Sequence, residues 1–124
     1  MKTMAEEYAK LREQKRSKVP GIFVNDLDGA NGRLSKLMFE LGERLGAPGH
    51  TQEEVIRIMG APDAIIHGNK EHDEYKESHD PQAKDVPGNS TRLVYLFRGW
   101  AAYLYFVCVD GKVLRASWYL AMLR

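Results

Sequence analysis

The chain has 124 residues, 44% of them hydrophobic and 28% charged, a composition that fits one globular domain with a modest core and excludes disorder or a multidomain array. A net charge of +1 gives no bulk attraction for nucleic acid or an anionic membrane. No run is long enough to span a membrane, no leader-like apolar stretch opens the chain, and its one cysteine, Cys108, sits in an apolar run. A cytoplasmic protein with a buried, inert thiol is expected.

In chain order, Thr3 and Glu6 have capping-box spacing, and Met4, Tyr8 and Leu11 recur at helical intervals. The other residues up to Lys18 are mostly charged, which predicts a peripheral helix whose basic end, Lys15-Arg16-Ser17-Lys18, lies in water. Val19-Pro20-Gly21 ends it, and Ile22-Phe23-Val24 follows as a short extended apolar piece. Asn25 to Gly32 reads as a turn entering a helix cap. Its Asp-x-Asp-Gly is similar to the nucleophile loop of haloacid-dehalogenase phosphatases, but the repeated strand–helix pattern such enzymes need is missing. As a calcium loop it would place Val24 and Ser35 where acidic ligands belong.

Leu34, Leu37, Met38, Leu41 and Leu45 form one apolar stripe, with Phe39 as a further core candidate. Asn31 can cap this helix, and Gly46 with Pro48 can stop it. Next comes a shorter helix, capped by Thr51 and Glu54, with Val55, Ile58 and Met59 on one face and Gly60 and Pro62 at its end. A helix this short needs an apolar surface to lie on. Ala64-Ile65-Ile66-His67 is readable as a short edge strand. Gly68 to Thr91 is almost free of large apolar residues and reads as a mobile loop.

From Arg92 onward three strands are expected, joined at Gly99-Trp100 and at Asp110-Gly111. Regular pairing through two-residue turns puts Val94, Leu96, Tyr103, Tyr105, Val107, Leu114, Ala116, Trp118 and Leu120 on one face. The other face receives Leu93, Tyr95, Phe97, Leu104, Phe106, Cys108, Val113, Arg115, Ser117 and Tyr119. Both faces are apolar, and two amphipathic helices cover only one of them. The other must meet the N-terminal segment, a second copy of the chain, a protein partner or a ligand. The more mixed face supplies the candidate contact residues Tyr95, Phe97, Leu104, Phe106, Arg115, Ser117 and Tyr119.

This order of parts resembles the SmpA/OmlA (BamE-like) domain from about Leu34 to Leu120. The resemblance rests on Gly49, Thr51, Glu54, Val55, Gly60, Pro62 and the Asp110-Gly111-Lys112-Val113 hairpin. It implies a two-layer α+β fold, helices on a three-stranded antiparallel meander, used for protein binding without catalysis. Residues 1–31 would then be a peripheral helix and arm, and 32–124 the domain, with its loop at 68–91. The membrane-assembly role of well-known members does not transfer, because the sequence shows no lipobox cysteine.

His50, His67, His72 and His79 have no metal-site spacing, and neither a phosphate loop nor a nucleophile elbow is present, so no metal or cofactor is expected. The acid–base grouping to weigh is His67 with Asp63, Arg115 and Tyr119, should they gather at one sheet edge. Two function classes follow. One is a non-enzymatic interaction domain that buries an apolar sheet face in a homodimer or a partner. The other is a binder of apolar small molecules, or a small enzyme, with its pocket on the sheet.

Overall fold

A computed structural model of the chain describes residues 2–18, 22–29, 32–68, 88–98 and 102–120. Four helical elements come first: α1 (Lys2–Ser17), the single turn α2 (Asn25–Asp28), α3 (Arg33–Leu45) and α4 (Gln52–Met59). The strands follow as β1 (Ala64–His67), β2 (Ser90–Leu96), β3 (Ala102–Val109) and β4 (Lys112–Leu120), forming an antiparallel sheet in the order β1-β2-β3-β4. The fold is α+β. The expected three-strand meander is extended to four strands by β1, which pairs Ala64 with Val94 and His67 with Thr91.

The stripe on α3 buries Leu34, Leu37, Met38, Leu41 and Leu45. Its N-cap is Gly32 rather than Asn31 and makes no side-chain cap bond. Phe39 lies off the stripe, 46% exposed, and stacks on Trp118 at 4.4 Å instead of entering the core. Close approach to the sheet governs the end of this helix: a Cβ on Gly46 would stand 2.6 Å from the Ala116 Cβ, so only glycine lets the backbones meet there.

The capping box of α4 forms as its spacing predicts. Thr51 Oγ1 accepts from the Glu54 N–H at 3.1 Å, and the Glu54 carboxylate accepts from the Thr51 N–H. Two backbone bonds then tie the helix start to the β3–β4 hairpin, Gln52 N–H to Gly111 O and Val113 N–H to His50 O. The angle of this short helix is therefore fixed by the turn as well as by Val55 and Met59, which enter the core.

The expectation of a peripheral N-terminal helix is overturned. Tyr8 is 1% exposed within the main core, and Met4 and Leu11 pack against that core. Thr3 lies inside α1 rather than ahead of it. Arg12 explains how so polar a helix is held. It donates to Met59 O at 3.1 Å and to Ala61 O at 2.8 Å, satisfying carbonyls at the C-terminal end of α4, and lies over the rings of Tyr8 and Tyr95.

Register in the sheet departs from regular pairing at one point. The Asp110-Gly111 turn, with φ of 52° and 77°, pairs Val109 with Lys112 and Cys108 with Val113 as expected. Val107 then pairs with Arg115, so Leu114 is an extra residue at a β-bulge. Beyond it every side chain of β4 changes face. Ala116, Trp118 and Leu120 join the helix-covered side with Leu93, Tyr95, Leu104 and Phe106, while Tyr119 joins Val94, Tyr103, Tyr105 and Val107 opposite. Leu114 itself is 48% exposed.

The helices α1, α3 and α4 therefore cover one face. On the other, Ile66, Val94, Tyr103, Tyr105, Val107 and Tyr119 are at most 6% exposed within the single chain, and Arg92 is buried at 2% over Tyr105. The Gly99-Trp100 turn and most of the loop expected at 68–91 lie outside the described residues, although Ser90 and Thr91 belong to β2. Among the described residues no helix is long and apolar enough to cross a membrane.

Candidate functional site

The contact face expected from regular pairing does not exist as one surface. Tyr95, Phe97, Leu104 and Phe106 lie in the helix-covered core, whereas Tyr119, together with its register neighbours Arg115 and Ser117, belongs to the opposite face. The acid–base grouping also separates. His67 is on β1 and Arg115 on β4, the two edges of the sheet, and Asp63 stands just ahead of β1 with its carboxylate committed elsewhere. Among the described residues no group of three or more His, Cys, Asp or Glu side chains could hold a metal.

Asp63 is the clamp between α1 and the sheet. Its N–H donates to Val94 O, and its Oδ2 accepts from the Leu96 N–H at 2.8 Å. Its Oδ1 takes both Arg12, at 3.1 Å, and Arg16, at 3.0 Å. One carboxylate oxygen thus faces two guanidinium groups, leaving a local excess of positive charge.

The pattern repeats at Asp28. Lys15 reaches its Oδ1 at 3.0 Å and Lys18 its Oδ2 at 3.4 Å, while Arg98 donates to the Asp28 carbonyl oxygen at 2.7 Å. Burial pushes this carboxyl up, but the Val24 N–H and the two ammonium groups outweigh that and hold it below the usual aspartate range. The basic end of α1, expected to be merely solvated, is arranged around two carboxylates that it outnumbers.

Between these clusters opens a cleft of about 210 Å³, walled by Arg12, Lys15 and Arg16 and floored by Tyr8, Leu34, Met38 and Phe97. Lys15 Nζ lies 4.5 Å above the Phe97 ring, so the cationic wall and the apolar floor are joined. A second depression, of about 480 Å³ between α1 and α4, shares Arg12 and Arg16 with the first.

Beside the cleft runs an apolar ledge. Ile22, Phe23 and Val24 are 54%, 67% and 37% exposed. Their backbone is nonetheless tethered: Lys18 Nζ donates to Ile22 O at 2.6 Å, and the Val24 N–H donates to Asp28 Oδ2 at 2.8 Å. Exposed side chains on a tethered backbone offer contact at low ordering cost.

Two other placements complete the inventory. Burial pushes the Cys108 thiol up to about 11, so it is a core residue rather than a nucleophile. His50 Nδ1 lies 2.9 Å from Glu54 Oε2, a pairing that draws the carboxyl below its usual range and stiffens the capping box. The ledge was legible as an apolar tripeptide, but the cleft was not, because its residues come from α1, α3, Asp63 and the end of β2. Against protein-family models, curated proteins and solved structures alike, the chain finds no match.

Proposed function

We propose that this chain is a non-enzymatic protein-interaction domain of BamE-like type, and that it binds through the ledge and cleft beside α1 rather than through its sheet. The observation that carries this reading is the run Ile22-Phe23-Val24, three consecutive apolar side chains held out to solvent by a tethered backbone. An interaction surface is what such a run suits, since burying it against a partner recovers hydrophobic free energy that the isolated chain forgoes.

The same reading favours a partner over a second copy packed sheet to sheet, because the second sheet face is already buried in one chain. A small-molecule site fits the cleft less well, since ligand pockets are usually about 300–1,000 Å³ and the cleft is about 210 Å³; the depression between α1 and α4, at about 480 Å³, reaches that size and is where the alternative small-molecule reading would apply. A reducing cytoplasm suits a protein whose single cysteine is a buried thiol.

A photo-crosslinking phenylalanine analogue at Phe23, and separately at Leu114, tests the reading in cells. The expected result is a discrete, saturable heavier species from position 23 and none from position 114, which is also exposed, at 48% against 67%, but lies on the edge strand β4. Crosslinks of equal yield and the same pattern from both positions would sink it.

A further inference from the structure

We infer that the partner presented to this surface is an acidic segment of polypeptide carrying a bulky apolar side chain, which enters the cleft between α1, α3 and the end of β2 while its carboxylates meet Arg16 and Lys15. The inference rests on the reading of the chain as an interaction domain and adds the chemistry of what is bound.

Charge complementarity argues for it first. The chain as a whole is nearly neutral at +1, yet at this rim Arg12 and Arg16 share one oxygen of Asp63, and Lys15 and Lys18 share Asp28. Among the described residues the lining of the cleft itself carries three cations, Arg12, Lys15 and Arg16, against one carboxylate, Asp63, a positive field that an incoming carboxylate complements, with Arg16 the most available of the three at 54% side-chain exposure.

Size argues second. The cleft suits one large side chain and has the apolar floor that such an anchor needs. Extent argues third. The ledge at Ile22-Phe23-Val24 and the cleft are neighbours along the end of α1, joined by Lys15 and Lys18. An extended segment touches both, whereas an isolated small anion touches only the cations.

The test uses the full chain and a fluorescein-labelled peptide of about twelve residues, Asp and Glu throughout except for one central Leu, read by fluorescence anisotropy at low salt. Three controls accompany it: the peptide with Gly for Leu, a DNA oligonucleotide of matched charge, and inorganic phosphate as competitor. Saturable binding is expected, weakened about fivefold or more by Arg16→Glu and by raising salt from about 50 to 200 mM, and changed less than about twofold by Arg44→Glu, an exposed cation of α3. Phe23→Ser and the Gly peptide should each weaken binding severalfold. Circular dichroism checks that the variants stay folded.

No binding at low salt overturns the inference while leaving the Phe23 crosslinks to decide the interaction reading by themselves. Equal losses from Arg16→Glu and Arg44→Glu, equal affinity for the Gly peptide, tighter binding of DNA, or displacement by equimolar phosphate would each overturn it too. So would a doubled mass in light scattering that Phe23→Ser abolishes, since a second copy would then be the occupant.

Discussion

Asp63 shows how much one side chain can organise. Its two oxygens receive a strand N–H and two guanidinium groups, and its own N–H pairs with Val94, so it closes the β1–β2 ladder and docks α1 in one place. Asp63→Ala leaves the Leu96 N–H and the Arg12 guanidinium without this acceptor, and a loss of about 2–3 kcal/mol in urea denaturation is expected. Cys108 makes the opposite case, a reactive residue type silenced by its surroundings. Burial raises its thiol to about 11, so at pH 8 little thiolate forms and a disulfide reagent should label the native protein far more slowly than the urea-unfolded one. Fast native labelling would contradict the burial of β3.

At the scale of elements the bulge in β4 decides the most. Regular pairing puts Leu114 and Trp118 on one face and predicts similar costs for truncating either. The observed register exposes Leu114 and sends Trp118 to the helix side, against Phe39 and Phe97. Trp118→Ala should therefore cost about 2–4 kcal/mol and Leu114→Ala less than about 0.5 kcal/mol, compared by chemical denaturation. Equal costs would restore the regular register. A bulge of this kind leaves no sign in an alternating pattern when both alternating sets are apolar, since either register buries a plausible core. The core position of α1 is hidden from its sequence for a related reason. Its charged residues read as a solvated rod, but Arg12 is spent on the carbonyl ends of α4, and Tyr8 reaches the core between the charges.

Across the whole molecule, carboxylates link the pieces, and the acid side of the stability profile reports on them. The hydrogen bond from Arg33 holds Glu7 low, and that from His50 holds Glu54 low; Asp28 is also low, its Val24, Lys15 and Lys18 bonds outweighing burial. Folded values below the unfolded ones mean stabilisation that is complete above the ordinary carboxylate range of about 4 and lost as pH falls through the lower folded values. The urea midpoint should thus respond little to these three groups between about pH 5 and 7 and fall progressively below about pH 4; a midpoint that rises on acidification would reverse the sign. These bonds join α1 to α3, α1 to α2, and the capping box to its neighbouring histidine, so their loss should loosen the helical layer before the sheet.

The sequence by itself determined whatever depends on neighbours along the chain. The stripe of α3, the capping box at Thr51, the end of α4 at Gly60, the hairpin at Asp110-Gly111 and the short strand at Ala64–His67 are all set by side-chain spacing or turn chemistry within a few residues. Only the tertiary structure decided which face of β4 meets the helices, that α1 belongs to the core, that His67 and Arg115 lie at opposite edges, and that the cations of α1 gather around Asp28 and Asp63. Each of those depends on contacts between residues far apart in sequence, where one bulge or one long arginine changes the outcome without disturbing any local pattern.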